Sequence, residues 1–182
     1  MASPEKLKEA QSVGAVGIQV GSIFALCDRS GLRPDLRSQI CSRGFKELHR
    51  VKTHMEASPT GFPLKVVSLT GSLSEDDVYD SQIRVCNHGA LRTLFVEPDG
   101  SIGYRCPAEP IESYVRKGGA VIDTKKKRCV CKGLLAGAGL GDPNDVPLIT
   151  MGDDVSFLEF LMDNPDDSYG VVEALAYLRG HS

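Results

Sequence analysis

Apolar residues fall along this chain in short groups whose spacing shifts between the helical and the extended period, and those shifts mark out the elements. Ser3 followed by Pro4 is a helix cap with proline at the first position, so a short helix is predicted to about Ser12. Val16, Ile18 and Val20 alternate with Gly17 and Gln19, the period-two pattern of a short strand, and Ile23 to Cys27 continues as a short helix after a Gly21-Ser22 turn. Leu36, Ile40, Phe45 and Leu48 stand at helix-compatible spacing in a longer amphipathic helix predicted over Pro34 to Leu48. Arg50 to His54 and Leu64 to Leu69 read as strands, and Leu73 to Asp77 as a cap and helix start.

From Asp80 the chain becomes richer in loops. Leu91 to Val96 and Ile102 to Tyr104 flank Glu97-Pro98-Asp99-Gly100-Ser101, a turn sequence, so a small hairpin is predicted. Further helices are expected at Ile111 to Arg116, Lys132 to Ala138, Ser156 to Met162 and Val171 to Leu178. The second of these is broken by Gly139 and Gly141, and the last is capped by Ser168. Gly152-Asp153-Asp154 reads as a helix N-terminus, where acidic side chains favour the dipole.

Composition adds constraints rather than detail. Hydrophobic residues make up 41% and charged residues 25% of the 182 residues, ordinary values for a globular chain. The net charge of −3 argues against non-specific nucleic-acid binding, which needs a basic field. No apolar run is long enough to cross a membrane, and MASPEKLKEA lacks the apolar segment of a secretory signal, so no membrane partner and a cytoplasmic location are expected.

The candidate chemistry begins at Gly14 to Leu26. A strand running into a Gly-Ser turn and a helix start presents unpaired N–H groups that suit a phosphate. Gly21 lets a ligand approach the backbone, and the Ser22 hydroxyl adds a bond. The same pattern also fits plain packing.

The six cysteines are Cys27, Cys41, Cys86, Cys106, Cys129 and Cys131. In a reducing compartment disulfides are not expected. The last four suit zinc in number, because thiolates bind zinc tetrahedrally in fours. The single residue between Cys129 and Cys131 is shorter than the usual ligand spacing, which favours inert or mildly redox-active thiols, so no residue is assigned as a metal ligand. The preceding Lys125-Lys126-Lys127-Arg128 run would lower thiol pKa values if exposed beside them, but reads more simply as a solvated loop. His49 and His54 lie near a predicted helix end and strand, within reach of a bound cofactor or as ordinary half-buried residues, and His88 is a loop residue near Cys86. His181 is terminal. Gly137-x-Gly139-x-Gly141 lacks the preceding strand and the spacing of a dinucleotide fingerprint, and neither Walker, HExxH nor GxSxG motifs occur.

Gln19-Val20-Gly21-Ser22 resembles the last phosphate-binding turn, Gln-x-Gly-Thr, of the nitronate monooxygenase (2-nitropropane dioxygenase-like) flavoproteins, with Ser22 where that family has Thr. Further runs in the same order extend the resemblance across about residues 2 to 162. They are Ala2 to Leu7, Ala57 to Pro63 with Lys65-Val66, Tyr104 to Pro110, Tyr114 to Gly119, Cys129 to Ala136, and Gly152-Asp153-Asp154.

The resemblance implies an α/β chain, the C-terminal part of a TIM (β/α)₈ barrel with a loop-rich α+β extension. Residues 1–55 would be the last βα units of the flavin domain and residues 56–182 the extension. It implies FMN as cofactor, held by Gln19, Gly21 and Ser22, and a small nitroalkane or nitronate as substrate, oxidised with O₂. Such barrels take about 250 residues, and the family's catalytic His and second phosphate turn lie upstream of the segment resembled. No residue here is therefore assigned a catalytic role, and the chain is expected to be incomplete and inactive alone. It would be a C-terminal piece, a truncated paralogue or a reading that starts late, needing self-association or a missing N-terminal half. The alternatives are a non-catalytic, partner-dependent remnant and a cysteine-based metal module.

Overall fold

The computed structural model describes residues 2–180 and is a mixed α and β protein, 34% helical and 9% strand. Among the described residues no helix is long and apolar enough to cross a membrane. The chain divides into two compact units, one built from the residues up to Val51 together with those from Met151 onward, the other from Lys52–Thr150.

In the first unit, Ser3 accepts a hydrogen bond from the Lys6 N–H at 3.3 Å and starts α1 (Pro4–Ser12) as its sequence predicts. α2 (Ser22–Ala25) and α3 (Pro34–Phe45) follow, and the chain returns through α7 (Leu158–Leu161) and α8 (Val171–Leu178). Helix α3 buries Leu36, Ile40 and Cys41. Gly44 permits its approach to α7, since a Cβ there would lie 2.7 Å from a Leu158 methyl. Tyr169 is fully enclosed. Its hydroxyl donates to the Ile23 carbonyl at 2.6 Å, its ring meets Phe157 edge-on at 6.5 Å, and burial pushes its phenol far above the usual range. The Arg37 guanidinium donates to the Leu26 carbonyl at 2.7 Å, tying α3 to the end of α2.

Residues 16 to 20 are not a strand. After α1 the chain turns through Gly14, whose φ is +96°, and Val16 lies fully exposed. Alternation makes a strand only where a neighbouring strand supplies backbone partners, and none is adjacent to this segment among the described residues.

The second unit carries β1 (Val51–His54) paired with β2 (Leu64–Val67), then α4 (Asp76–Asp80), and the antiparallel hairpin of β3 (Thr93–Val96) and β4 (Ile102–Arg105) in the expected place. Helix α5 (Ile111–Arg116), a 3-10 turn at Val121–Thr124 that the hydrophobic pattern did not signal, and α6 (Val130–Gly137) complete it. Its core is Ala57, Leu64, Val66, Leu73, Val130 and Leu148. The 147–149 segment is laced into this core: Val67 and Leu73 donate to the Ile149 and Pro147 carbonyls, and Leu148 donates to Gly133, all at 2.9 Å. On the hairpin, the Arg105 guanidinium lies over the Phe95 ring at 5.1 Å and the Tyr114 ring at 5.3 Å.

The basic run 125–128 is not uniformly solvated. Arg128 is 2% exposed. Its guanidinium donates to the Leu73 carbonyl at 2.7 Å, the Lys126 carbonyl at 3.1 Å and the Asp76 carboxylate at 2.7 Å, and it lies 4.6 Å from the Tyr79 ring centre. A planar fork with five donors can serve three acceptors from one enclosed position.

Candidate functional site

Gly21 and Ser22 form the predicted turn: Gly21 caps α2, and Ser22 is its first helical residue. No atom lies within 4 Å of the position a Gly21 side chain would occupy, so the backbone is open to a ligand there. Gln19 is exposed two residues earlier. The three residues assigned to cofactor binding thus share one surface turn.

The turn is held from the far end of the sequence. The Ser22 Oγ accepts from the Gly152 N–H at 3.0 Å, and the Gly152 carbonyl is 3.2 Å from His49 Nε2. A carbonyl only accepts, so Nε2 carries a proton, and in the neutral ring Nδ1 is then an acceptor. That Nδ1 is enclosed and has no hydrogen-bond partner, in a residue only 8% exposed. A Cβ at Gly152 would sit 3.1 Å from the Ser22 oxygen, so a side chain there would push that hydroxyl a few tenths of an ångström aside. Ser22 keeps its own hydroxyl proton to offer. Sequence reasoning placed Gly152 at a helix start, whereas Asp154 instead closes a turn, its carboxylate accepting from the Ser156 N–H and hydroxyl at 3.0 and 2.7 Å. The link from Ser22 through Gly152 to His49 had no local signal, because its ends are separated by 130 residues.

The remaining candidates lie in the second unit. His54 ends β1 with Nε2 enclosed and unpartnered. Burial lowers its pKa, and the neighbouring Arg128 and Lys52 charges lower it further. His88 lines a cavity with Cys86, Cys106, Cys129 and Cys131. All six cysteines are free thiols, with Cys27 and Cys41 buried in the first unit. Burial pushes the Cys106 thiol up to about 11 and raises Cys129 as well. His181 lies outside the described residues. Gly139, with φ of +68°, ends α6 rather than cradling a phosphate.

Compared with known proteins, the chain matches no family model, no curated protein and no solved structure.

Proposed function

We propose that this chain works as the C-terminal, phosphate-binding portion of an FMN-dependent oxidoreductase of the nitronate monooxygenase kind, with alkyl nitronates as substrate and O₂ as oxidant. The observation that carries the reading is the junction at Ser22. Two of the runs that resemble the flavoproteins, Gln19 to Ser22 and Gly152 to Asp154, are remote in sequence and meet there through the Gly152 N–H. The residues present fit a phosphate: an open backbone at Gly21, a hydroxyl proton on Ser22, and the unpaired N–H groups that begin any helix. His49 Nδ1 is an enclosed acceptor that a ligand or water donor would satisfy.

Bound FMN would supply the electron transfer. Gly21 and Ser22 would fix its phosphate, Gln19 would contact the flavin or its ribityl chain, and Gly152 and His49 would hold Ser22 in place. Four residues of helix make a weak anion site alone, so the reading includes barrel strands supplied from outside this turn. The exposed run Val13 to Gly17 supports that part: Val13, which closes α1, is 83% exposed and Val16 wholly so, apolar side chains that added strands would cover. In the same reading, Met1 to residue 55 would contribute the last βα units.

The test is flavin binding. Purified chain is titrated with FMN, and released flavin is measured per chain for wild type and Ser22→Ala. Saturable binding that Ser22→Ala weakens about tenfold, the worth of one lost charge-assisted hydrogen bond, supports the reading. FMN bound equally well by wild type and Ser22→Ala, or no FMN bound even when the barrel strands the reading calls for are supplied, overturns it.

The same exposed run favours a second reading, a non-catalytic subunit that needs a partner. Self-association in sedimentation, abolished by Val16→Asp, together with a failure to bind FMN, would decide for it.

A further inference from the structure

Four cysteines from three separate segments of the second unit line one cavity. Cys86 lies in the loop after α4, Cys106 directly follows β4, and Cys129 and Cys131 stand at the start of α6. The cavity measures about 10 Å³, room for a water-sized body or a single ion and far too little for an organic ligand. No carboxylate lines it, so its donor set is soft: four sulfurs and the His88 ring.

One of the four sulfurs has a cationic donor beside it. The Arg92 guanidinium lies 3.8 Å from the Cys86 Sγ. A neutral thiol is a poor acceptor, whereas N–H groups aimed at sulfur are the usual outer shell of metal-bound thiolates. The short Cys129-x-Cys131 spacing ceases to be an objection once its backbone is seen. Cys129 is the N-cap of α6, with φ −75° and ψ 84°, so it stands outside the helix while Cys131 lies in the first turn. The other two sulfurs arrive from distant segments, and no close chelating pair is needed to complete a set of four.

We propose that Cys86, Cys106, Cys129 and Cys131 bind one zinc ion as a closed, four-thiolate structural site. Among the described residues no three His, Cys, Asp or Glu side chains stand at ligating distance of a common point. Binding therefore requires the thiols to move inward until each sulfur is about 2.3 Å from the metal. Arg92 offsets part of the negative charge that four thiolates bring. Zinc would then join the loop after α4, the hairpin and α6. The inference does not depend on the flavin reading, since its readout is metal and not cofactor.

The whole chain, purified under reducing conditions from zinc-supplemented cells, is assayed for metal by mass spectrometry. About one zinc per chain is expected for a four-thiolate site, lost in the Cys129→Ser/Cys131→Ser double variant and retained in Cys27→Ser. Cobalt exchanged for zinc is expected to give the strong sulfur-to-cobalt charge-transfer bands of a tetrahedral thiolate site. Should the double variant not fold, alkylation of the wild type decides: zinc is expected to protect these four cysteines, and a chelator to expose them. The proposal is overturned by a reduced wild type that takes up neither zinc nor cobalt, by zinc retained in the folded double variant, by alkylation indifferent to the chelator, or by iron with acid-labile sulfide in place of zinc.

Discussion

Replacing Arg128 by methionine tests whether the second unit is held by its buried guanidinium rather than by the ion pair it forms. The methylene stem is kept, so packing is largely preserved. What is lost is specific. The Leu73 carbonyl, in a residue 6% exposed, loses the donor 2.7 Å away, and an enclosed acceptor left without a partner costs about 1–3 kcal/mol. The contact with Tyr79 at 4.6 Å contributes up to about 2 kcal/mol when desolvated. The Lys126 carbonyl belongs to an exposed residue and turns to water. The Asp76 side chain is 84% exposed, so its pairing is worth under about 1 kcal/mol and leaves no stranded charge. Relief of burying the charge offsets part of the total, leaving about 3 kcal/mol for Arg128→Met against less than about 1 kcal/mol for Asp76→Ala. Arg128→Lys also loses most of that contribution, because one ammonium cannot serve the Leu73 and Lys126 carbonyls and Asp76 with the geometry of the planar fork. The chain has no tryptophan, so urea unfolding is followed by far-ultraviolet circular dichroism. Equal losses for Arg128→Met and Asp76→Ala would refute the reasoning, by showing that the exposed ion pair carries the contribution assigned to the backbone carbonyls.

Further outcomes follow from the same structure. Glu109 is 3% exposed and both its carboxylate oxygens accept from Lys117 Nζ, at 3.0 and 2.9 Å. Lys117→Met strands that charge and is expected to cost about 3–5 kcal/mol, while Lys117→Met with Glu109→Leu restores much of it; a double variant no more stable than the single one would count against the pairing. His54 has a folded-state pKa below its ordinary value, chiefly through burial. The unfolded chain therefore takes up the proton first, and stability is lost as pH falls from about 6.5 through the lower folded value. His54→Asn is expected to flatten that part of the stability–pH curve, and Arg128→Met to bring the His54 titration, read by NMR, back toward its ordinary value; an unchanged titration would remove Arg128 as a cause.

Elements specified by a few neighbouring residues were legible in the sequence, and those specified by a distant partner were not. Ser3-Pro4 starts α1, Pro98-Asp99-Gly100 closes the hairpin, and the apolar stripe of Val171 to Leu178 coincides with α8, because caps, turns and amphipathic faces are satisfied within one or two turns of chain. Even α8 shows the limit: its N-cap is Gly170, whose N–H donates to Glu173 at 3.0 Å, rather than Ser168. Val16 to Val20 has as clear an alternation as any strand of the chain, yet a strand is a relation between two segments and no strand pairs with this one among the described residues. Arg128 looked solvated because three lysines precede it, and the partners that enclose it, the Leu73 carbonyl, Asp76 and the Tyr79 ring, lie about 50 residues away in sequence. The candidate sites divide in the same way. Gly21 and Ser22 announced themselves, while Gly152, which fixes Ser22 from 130 residues on, looked like a helix start. The cysteines were judged on the spacing of one adjacent pair, when what brings them to a common cavity is the convergence of three segments upon it. Spacing tests a chelating loop; it carries no information about ligands that the tertiary fold delivers one at a time. Chemistry assembled in that way has to be sought in the packed unit, by asking which buried donors and acceptors share a space and lack a sufficient reason to be there.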